Sequence, residues 1–281
     1  MIRVGTAGWS YKDWQGIVYP PQRPRGFDEL TYLSRYFSML EINVTFYRPV
    51  PASTSQNWLK KIEHNQDFRF TAKLLRVFTH ERNGTREDEQ QFKDGLAPLL
   101  EAGRLGAVLM QFPSSFHCTD KNQSYISHLR SRFAEFPLVL EVRHASWAVP
   151  RVLDWLADIE VALCNIDQPR FKTCIKPSAE VTWPKVAYVR LHGNRWENWF
   201  RKNAQSHERY DYLYSIGELE PWAHRIEKVA KEAEDTYAVT NNHYHGKSAA
   251  NALELAALLK QKVSAPEPLM QHYPELREVC S

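Results

Sequence analysis

Cysteine is scarce in this chain: Cys118, Cys164, Cys174 and Cys280 are the only four in 281 residues. None forms a CxxC pair or any close metal-ligand spacing, which excludes a zinc ribbon and a dithiol redox motif. Long apolar runs are missing as well, so no segment reads as a membrane span. There is no GxSxG elbow, no HExxH, no GxxxxGK and no GxGxxG after the first strand, which removes four familiar active-site types. Nor does one sign of charge dominate: 36 basic against 33 acidic residues leave a net +3, too little to demand nucleic acid as a partner. The start, MIRVGTAGWS, reads as strand from the second residue and leaves no room for a signal peptide. A reducing, cytoplasmic setting with no membrane is the expectation.

What the chain does have is a recurring unit. Eight β-rich runs end in polar side chains: Ile2 to Gly8, Met39 to Phe46, Phe68 to Leu75, Gly106 to Pro113, Leu138 to His144, Glu160 to Asp167, Val186 to Gly193 and Thr236 to His243. Amphipathic stretches follow most of them: Phe27 to Phe37, Ser53 to His64, Arg86 to Ala102, Lys121 to Phe133, Val149 to Asp158, Glu218 to Glu234 and Lys247 to Lys262. Asp28, Ser53, Thr85 and Asp120 suit helix N-caps, and Gly103 suits a stop. Strands alternating with helices imply a parallel sheet, and eight such units imply an α/β fold of the TIM-like (β/α)8 barrel type. Barrels of about 250 residues commonly form one domain, so residues 1–281 read as a single domain with 264–281, rich in proline, as a C-terminal surface tail.

Two connections break the pattern. Gln168 to Trp183, after strand six, carries Pro169 and Pro177 without helical periodicity and predicts an irregular crossover. Asn194 to Ile216, after strand seven, holds Trp196, Trp199, Phe200, Tyr210, Tyr212 and Tyr214 and predicts an aromatic lid over the barrel mouth.

Side-chain parity locates a site. On alternate positions Glu41 and Asn43 oppose Leu40 and Ile42, Thr71 and Lys73 oppose Phe70 and Ala72, and Glu141 and Arg143 oppose Leu140 and Val142. Gln111, Asn165, Asp167, Arg190, His192, Asn241 and His243 follow the same rule, although Asn242 blurs the last strand. Helices cover the outside of a barrel, so the polar parity is expected to point inward, toward the end where barrels hold active sites.

These strand ends also carry a resemblance. GTAGWSYKDWQGIVYP, EINVTFYRPVP, LMQFPSSF, LEVRHASW, YVRLHGN and NNHYHGKSAANA together resemble the YecE-like family, labelled domain of unknown function seventy-two, across nearly the whole chain. The resemblance implies a TIM-like barrel and supplies no established activity. Val44 stands where family members more often have Ser.

Chemistry alone assigns the roles. Glu41 and Glu141 are the acid/base candidates, with Asp167 third and His192 beside them, or the carboxylates serve an internal ion-pair network. Arg143, Arg190 and Lys73 neutralise charge, Gln111 and Asn43 offer amides, and His192, Asn241 and His243 orient an anion. Lys247 and Ser248 open the last helix, whose free N–H groups suit phosphate, unless Ser248 is simply its cap. Trp9, Tyr11, Trp14, Phe46, Tyr47, Phe116 and Trp147 lie just past strand ends and suit a flat ligand or plain rim packing. Strand ends four and seven offer Gln111 and His192 where a retaining glycosidase needs carboxylates. The resulting expectation is a small anionic, phosphorylated ligand at the mouth, with carboxylate acid/base catalysis. A metal-dependent phosphodiesterase or nuclease acting on nucleic acid, with a divalent metal on Glu41, Glu141, Asp167, His192 and His243, is one alternative. A non-catalytic ligand-binding module is another. No cofactor motif is present.

Overall fold

The computed structural model describes residues 1–194 and 210–280 and closes the eight expected runs into one parallel barrel. Its strands are β1 (Ile2–Ala7), β2 (Met39–Ile42), β3 (Arg69–Lys73), β4 (Leu105–Gln111), β5 (Leu138–Glu141), β6 (Ala162–Asp167), β7 (Val186–Leu191) and β8 (Asp235–Thr240). Each pairs with its neighbours in sequence, and β8 returns to β1 with Ala238 opposite Val4. The main helices are α1 (Glu29–Leu33), α2 (Ala52–Lys61), α3 (Arg86–Glu101), α4 (Asp120–Arg132), α5 (Pro150–Asp158), α6 (Ile216–Ala230), α7 (Lys247–Leu258), α8 (Glu267–His272) and α9 (Leu276–Val279). The architecture is a TIM-like (β/α)8 barrel in which β6 and β7 are joined without a helix, as the two prolines predict.

Local chemistry sets the helix ends. Asp28 accepts from the Thr31 amide at 2.9 Å, and Thr85 forms a reciprocal box with Asp88 at the start of α3. Gly103 ends α3 with φ of 65°. Two caps differ from expectation. Pro51, with φ already at −63°, starts α2 ahead of Ser53, and Thr119 rather than Asp120 accepts from the Asn122 amide at α4.

Strand two is shorter than its β-branched sequence predicts. It stops at Ile42, and Val44–Tyr47 forms one helical turn. The Thr45 hydroxyl bonds the carbonyls of Ile42 at 3.1 Å and Lys73 at 2.7 Å, so a tertiary tie to β3 outweighs β propensity. Strand five likewise ends at Glu141, and its extension pairs with the crossover: Ile175 donates to the Arg143 carbonyl at 2.8 Å and Ala145 to that of Thr173 at 2.9 Å. Past β8, Asn242 faces outward and bonds the Tyr212 carbonyl and Asn251, which explains its break in parity.

The tail is more structured than a surface wrap. Leu269 on α8 and Leu276 on α9 are fully buried, and the Tyr273 hydroxyl donates to the His245 carbonyl at 2.8 Å. Of the expected lid, Trp196, Trp199 and Phe200 lie outside the described residues.

The bore mixes charged and aromatic groups with apolar ones, Met39, Leu109, Val139, Ile166 and Val239 sharing the inward parity. Near the lower end Tyr237 on β8 reaches Gly106 on β4, where any Cβ would collide with its ring. Above it Tyr188 bonds Thr71 at 2.7 Å, and its hydroxyl donates to Glu41 at 2.9 Å. Leu40, Phe70, Val108 and Leu140, of the opposite parity, are buried in the core outside the bore.

Candidate functional site

Arg190 organises the upper bore. From β7 its guanidinium reaches Glu41 on β2 at 2.7 Å and Glu141 on β5 at 2.5 Å. Neither strand neighbours β7, so these side chains meet only because all three point inward. Gln111 accepts a longer bond from Arg190 at 3.2 Å. Arg143 then pairs with the other oxygen of Glu141 at 2.6 Å and donates to Gln168 at 3.3 Å. His192 completes the ring, its Nε2 at 3.1 Å from Glu141 and its Nδ1 receiving the Asn241 amide at 2.9 Å.

Burial and pairing decide the charge states. Burial opposes ionisation of Glu141, but Arg190, His192 and Arg143 together outweigh it and hold the carboxyl well below its ordinary range. Burial pushes His192 down to about 3 despite the pull of Glu141, so the ring is neutral, with Nε2–H donating and Nδ1 accepting. Glu41 and Glu141 have zero exposure. They form the internal ion-pair network that the sequence left open, and Glu141, held this firmly ionised, makes a poor general acid.

Lys73 stands apart from that network. It is half-buried two residues beyond Thr71 on the same parity, which aims it into the bore one layer higher. Its Nζ sits 4.2 Å from the Phe46 ring centre, and among the described residues it makes no ion pair. Burial, and after it the Arg190 guanidinium, lower its pKa to about 8, against the opposite pull of Glu41 and Glu141.

Contrary to expectation, Asp167 and Asn165 do not enter the bore. On β6 it is Ile166 that pairs with the inward Arg190, while Asp167 pairs with Leu191, so the polar pair lies on the outer side of the strand. Asn165 is bonded to Ser178 and Glu180 of the crossover. Asp167 Oδ2 accepts from Tyr214 at 2.7 Å and Asn194 at 2.9 Å, while Oδ1 is buried without a hydrogen-bond partner. Burial raises its pKa, tempered by those two donors.

A cleft of about 230 Å³ lies over the ends of β1 and β2, lined by Gly8, Trp9, Ser10, Tyr11, Asn43 and Val44. Tyr11 stacks on His243 with ring centres 4.3 Å apart, and Asn43 bonds the Tyr11 hydroxyl. The buried Asn43 Oδ1 has no hydrogen-bond partner. Trp9 meets Trp58 edge to face at 5.7 Å.

Other expected positions are engaged with the protein itself or turned to solvent. Trp147 is fully buried, its Nε1 donating to the Phe116 carbonyl at 2.7 Å and its ring stacked on Phe116, so it packs the rim from inside. Trp14 is buried too, bonded to the His243 carbonyl at 2.7 Å. Tyr47 is 69% exposed because the turn after β2 swings it outward. At α7 the cap is Gly246, with φ of 75°, and not Ser248, which is fully buried. Lys247 is tied to Asp211, Asp13 accepts from the His245 amide at 2.7 Å, and Ile17, Val18 and Leu269 crowd Gly246. An acidic side chain and apolar groups thus stand where the helix N-terminus was expected to meet phosphate. Among the described residues no three His, Cys, Asp or Glu side chains gather to hold a metal ion. Glu41 and Glu141 are taken by arginines, and Asp167 by Tyr214 and Asn194.

Some members were missed from sequence. Tyr188 shares the parity of Arg190 but reads as an ordinary core aromatic, and Gln168 follows the last residue of β6. Asn194 and Tyr214 were legible only as the start and an aromatic of the expected lid, and the fold alone brings them to Asp167.

Comparison with known proteins places the chain. Residues 3–274 match the family described as "Protein of unknown function DUF72". The UPF0759 protein YunF of Bacillus subtilis (strain 168) is 28% identical, over 95% of this chain and 98% of its own length. A DUF72 family protein from Thermotoga maritima MSB8 is 32% identical with a TM-score of 0.80, covering 93% of this chain and all of its own. One from Enterococcus faecalis V583, at 24% identity, shares the fold with a TM-score of 0.82 over 94% of this chain and 97% of its own. With its barrel, its strand-end motifs and a match along nearly its entire length, the chain belongs to the DUF72 family.

Proposed function

We propose that the barrel mouth binds a small anionic ligand, with a phosphorylated compound as the leading class. The observation that carries this reading is Lys73, a cation aimed into the bore with no carboxylate partner among the described residues. Glu41 and Glu141 are already matched by Arg190 and Arg143, so Lys73 leaves this cluster with one positive charge in excess. In a half-buried setting such an excess attracts an anion more strongly than it would in water. Asn43, Asn241 and His243, at the ends of β2 and β8, supply polar groups to orient the ligand, and Trp9 and Tyr11 supply walls.

Calorimetric titration with inorganic phosphate tests the proposal. Wild type binds saturably, and Lys73→Met weakens binding about tenfold or more, equal to about 1.4 kcal/mol. Lys73→Arg, which keeps the charge, retains most of the affinity. No saturable binding by wild type, or equal binding by Lys73→Met, overturns it.

A further inference from the structure

We propose that Lys73 is a nucleophilic amine that forms a Schiff base with a small aldehyde or ketone bearing an anionic group. The inference rests on the mouth as an anion site and goes beyond it by giving Lys73 a covalent role.

Three features of the geometry point there. Lys73 ends β3 on the inward parity, so its amine reaches the mouth from the rigid sheet and not from a loop. Its backbone is pinned by the 2.7 Å bond from Thr45 to its carbonyl. Its Nζ rests against the face of Phe46, on the turn that the same threonine builds, and no carboxylate grips it among the described residues. A lysine serving only as a structural charge is normally held in an ion pair, as Arg190 and Arg143 are here. One set on an aromatic face beside other cations has the surroundings of amine nucleophiles. The charged and titratable groups around it are Glu41 on β2, Glu141 and Arg143 on or just past β5, Arg190 on β7 and His80 on the turn after β3. With its pKa near 8, Lys73 at pH 7 holds roughly two hundredfold more free amine than an ordinary lysine.

The chemistry balances without an oxidant or reductant. The free amine attacks the carbonyl carbon, forming a C–N bond as the π electrons move to oxygen. A proton passes from nitrogen to that oxygen, and one more from solvent lets it leave as water. The product is an iminium carrying the same single positive charge that Lys73 had, so attraction for the anionic end of the ligand persists.

Reductive trapping tests this on the full-length protein. Glyoxylate, an anionic aldehyde, and acetaldehyde, a neutral one, are each added with cyanoborohydride, and adducts are located by peptide mass mapping. Expected are glyoxylate adducts at Lys73 at least about tenfold faster than at the exposed Lys60, slowed by inorganic phosphate and absent at that position in Lys73→Met. The rate at Lys73 rises through about pH 8. Labelling spread evenly over surface lysines, with Lys73 no faster than Lys60, overturns the inference whether or not phosphate binds. Fast labelling of Lys73 by both aldehydes alike, unaffected by phosphate, upholds the amine chemistry while removing the anion site.

Discussion

Arg190 is the side chain on which most of the bore depends. It is 1% exposed and satisfies two carboxylates that have no exposure at all. Removing one partner of a buried ion pair leaves an uncompensated charge, which is far costlier than exchanging the whole set for apolar groups. Arg190→Met should therefore lower stability by about 3–5 kcal/mol, read as a fall in the urea midpoint at unchanged m-value. Adding Glu41→Gln and Glu141→Gln should restore much of that loss. If the triple variant is no more stable than Arg190→Met alone, the carboxylates are not what the arginine compensates. Lys73, by contrast, is the side chain whose replacement should alter ligand behaviour more than folding, because nothing described here relies on its charge.

The strands show why alternate polar positions are informative, and where that pattern stops. Glu41, Glu141, Arg143 and Arg190 all point inward as their parity requires, because a helical jacket outside leaves no other place for them. The same reasoning failed past Ile42, where Val44 and Thr45 look like strand but are turned by a hydroxyl bonded to the neighbouring strand. It also could not foresee that Trp147 turns inward or that Asp13 and Ile17 close over α7, since those contacts join positions remote in sequence. Glycine marks a second contact of that kind. Gly106 on β4 has no room for a Cβ because Tyr237 crosses from β8, so Gly106→Ala should cost about 1–3 kcal/mol even though alanine is the better residue for ordered backbone. Tyr237→Leu in the same chain should relieve most of that cost in a double-mutant cycle followed by urea unfolding. Purely additive losses would mean that the two do not meet.

Closure of the barrel makes the C-terminal helices part of the same stability problem as the strands. Leu269 and Leu276 are buried, and beneath this segment Glu254 on α7 bonds Asn251 at 2.6 Å. Burial, with Glu275 adding to it and Asn251 opposing, lifts the Glu254 pKa to about 7. The unfolded chain titrates this group near pH 4.3, so the folded state binds the extra proton between about 4.3 and 7. The Glu254 contribution is therefore complete below the lower value and disappears as pH rises through the upper one. Hydrogen exchange in Glu267–His272 should accelerate relative to the strands between pH 5.5 and 8 after correction for intrinsic rates, and Glu254→Gln should abolish that difference (the two pH values are roughly centred on the folded titration). An unchanged profile in the glutamine variant would assign the effect elsewhere. Meanwhile the guanidinium that spans the bore, with the tilted rings of Tyr188 and Tyr237 below it, stoppers the axis from beneath. Anything that enters at the rim meets a dead end, so it must depart through the doorway by which it arrived.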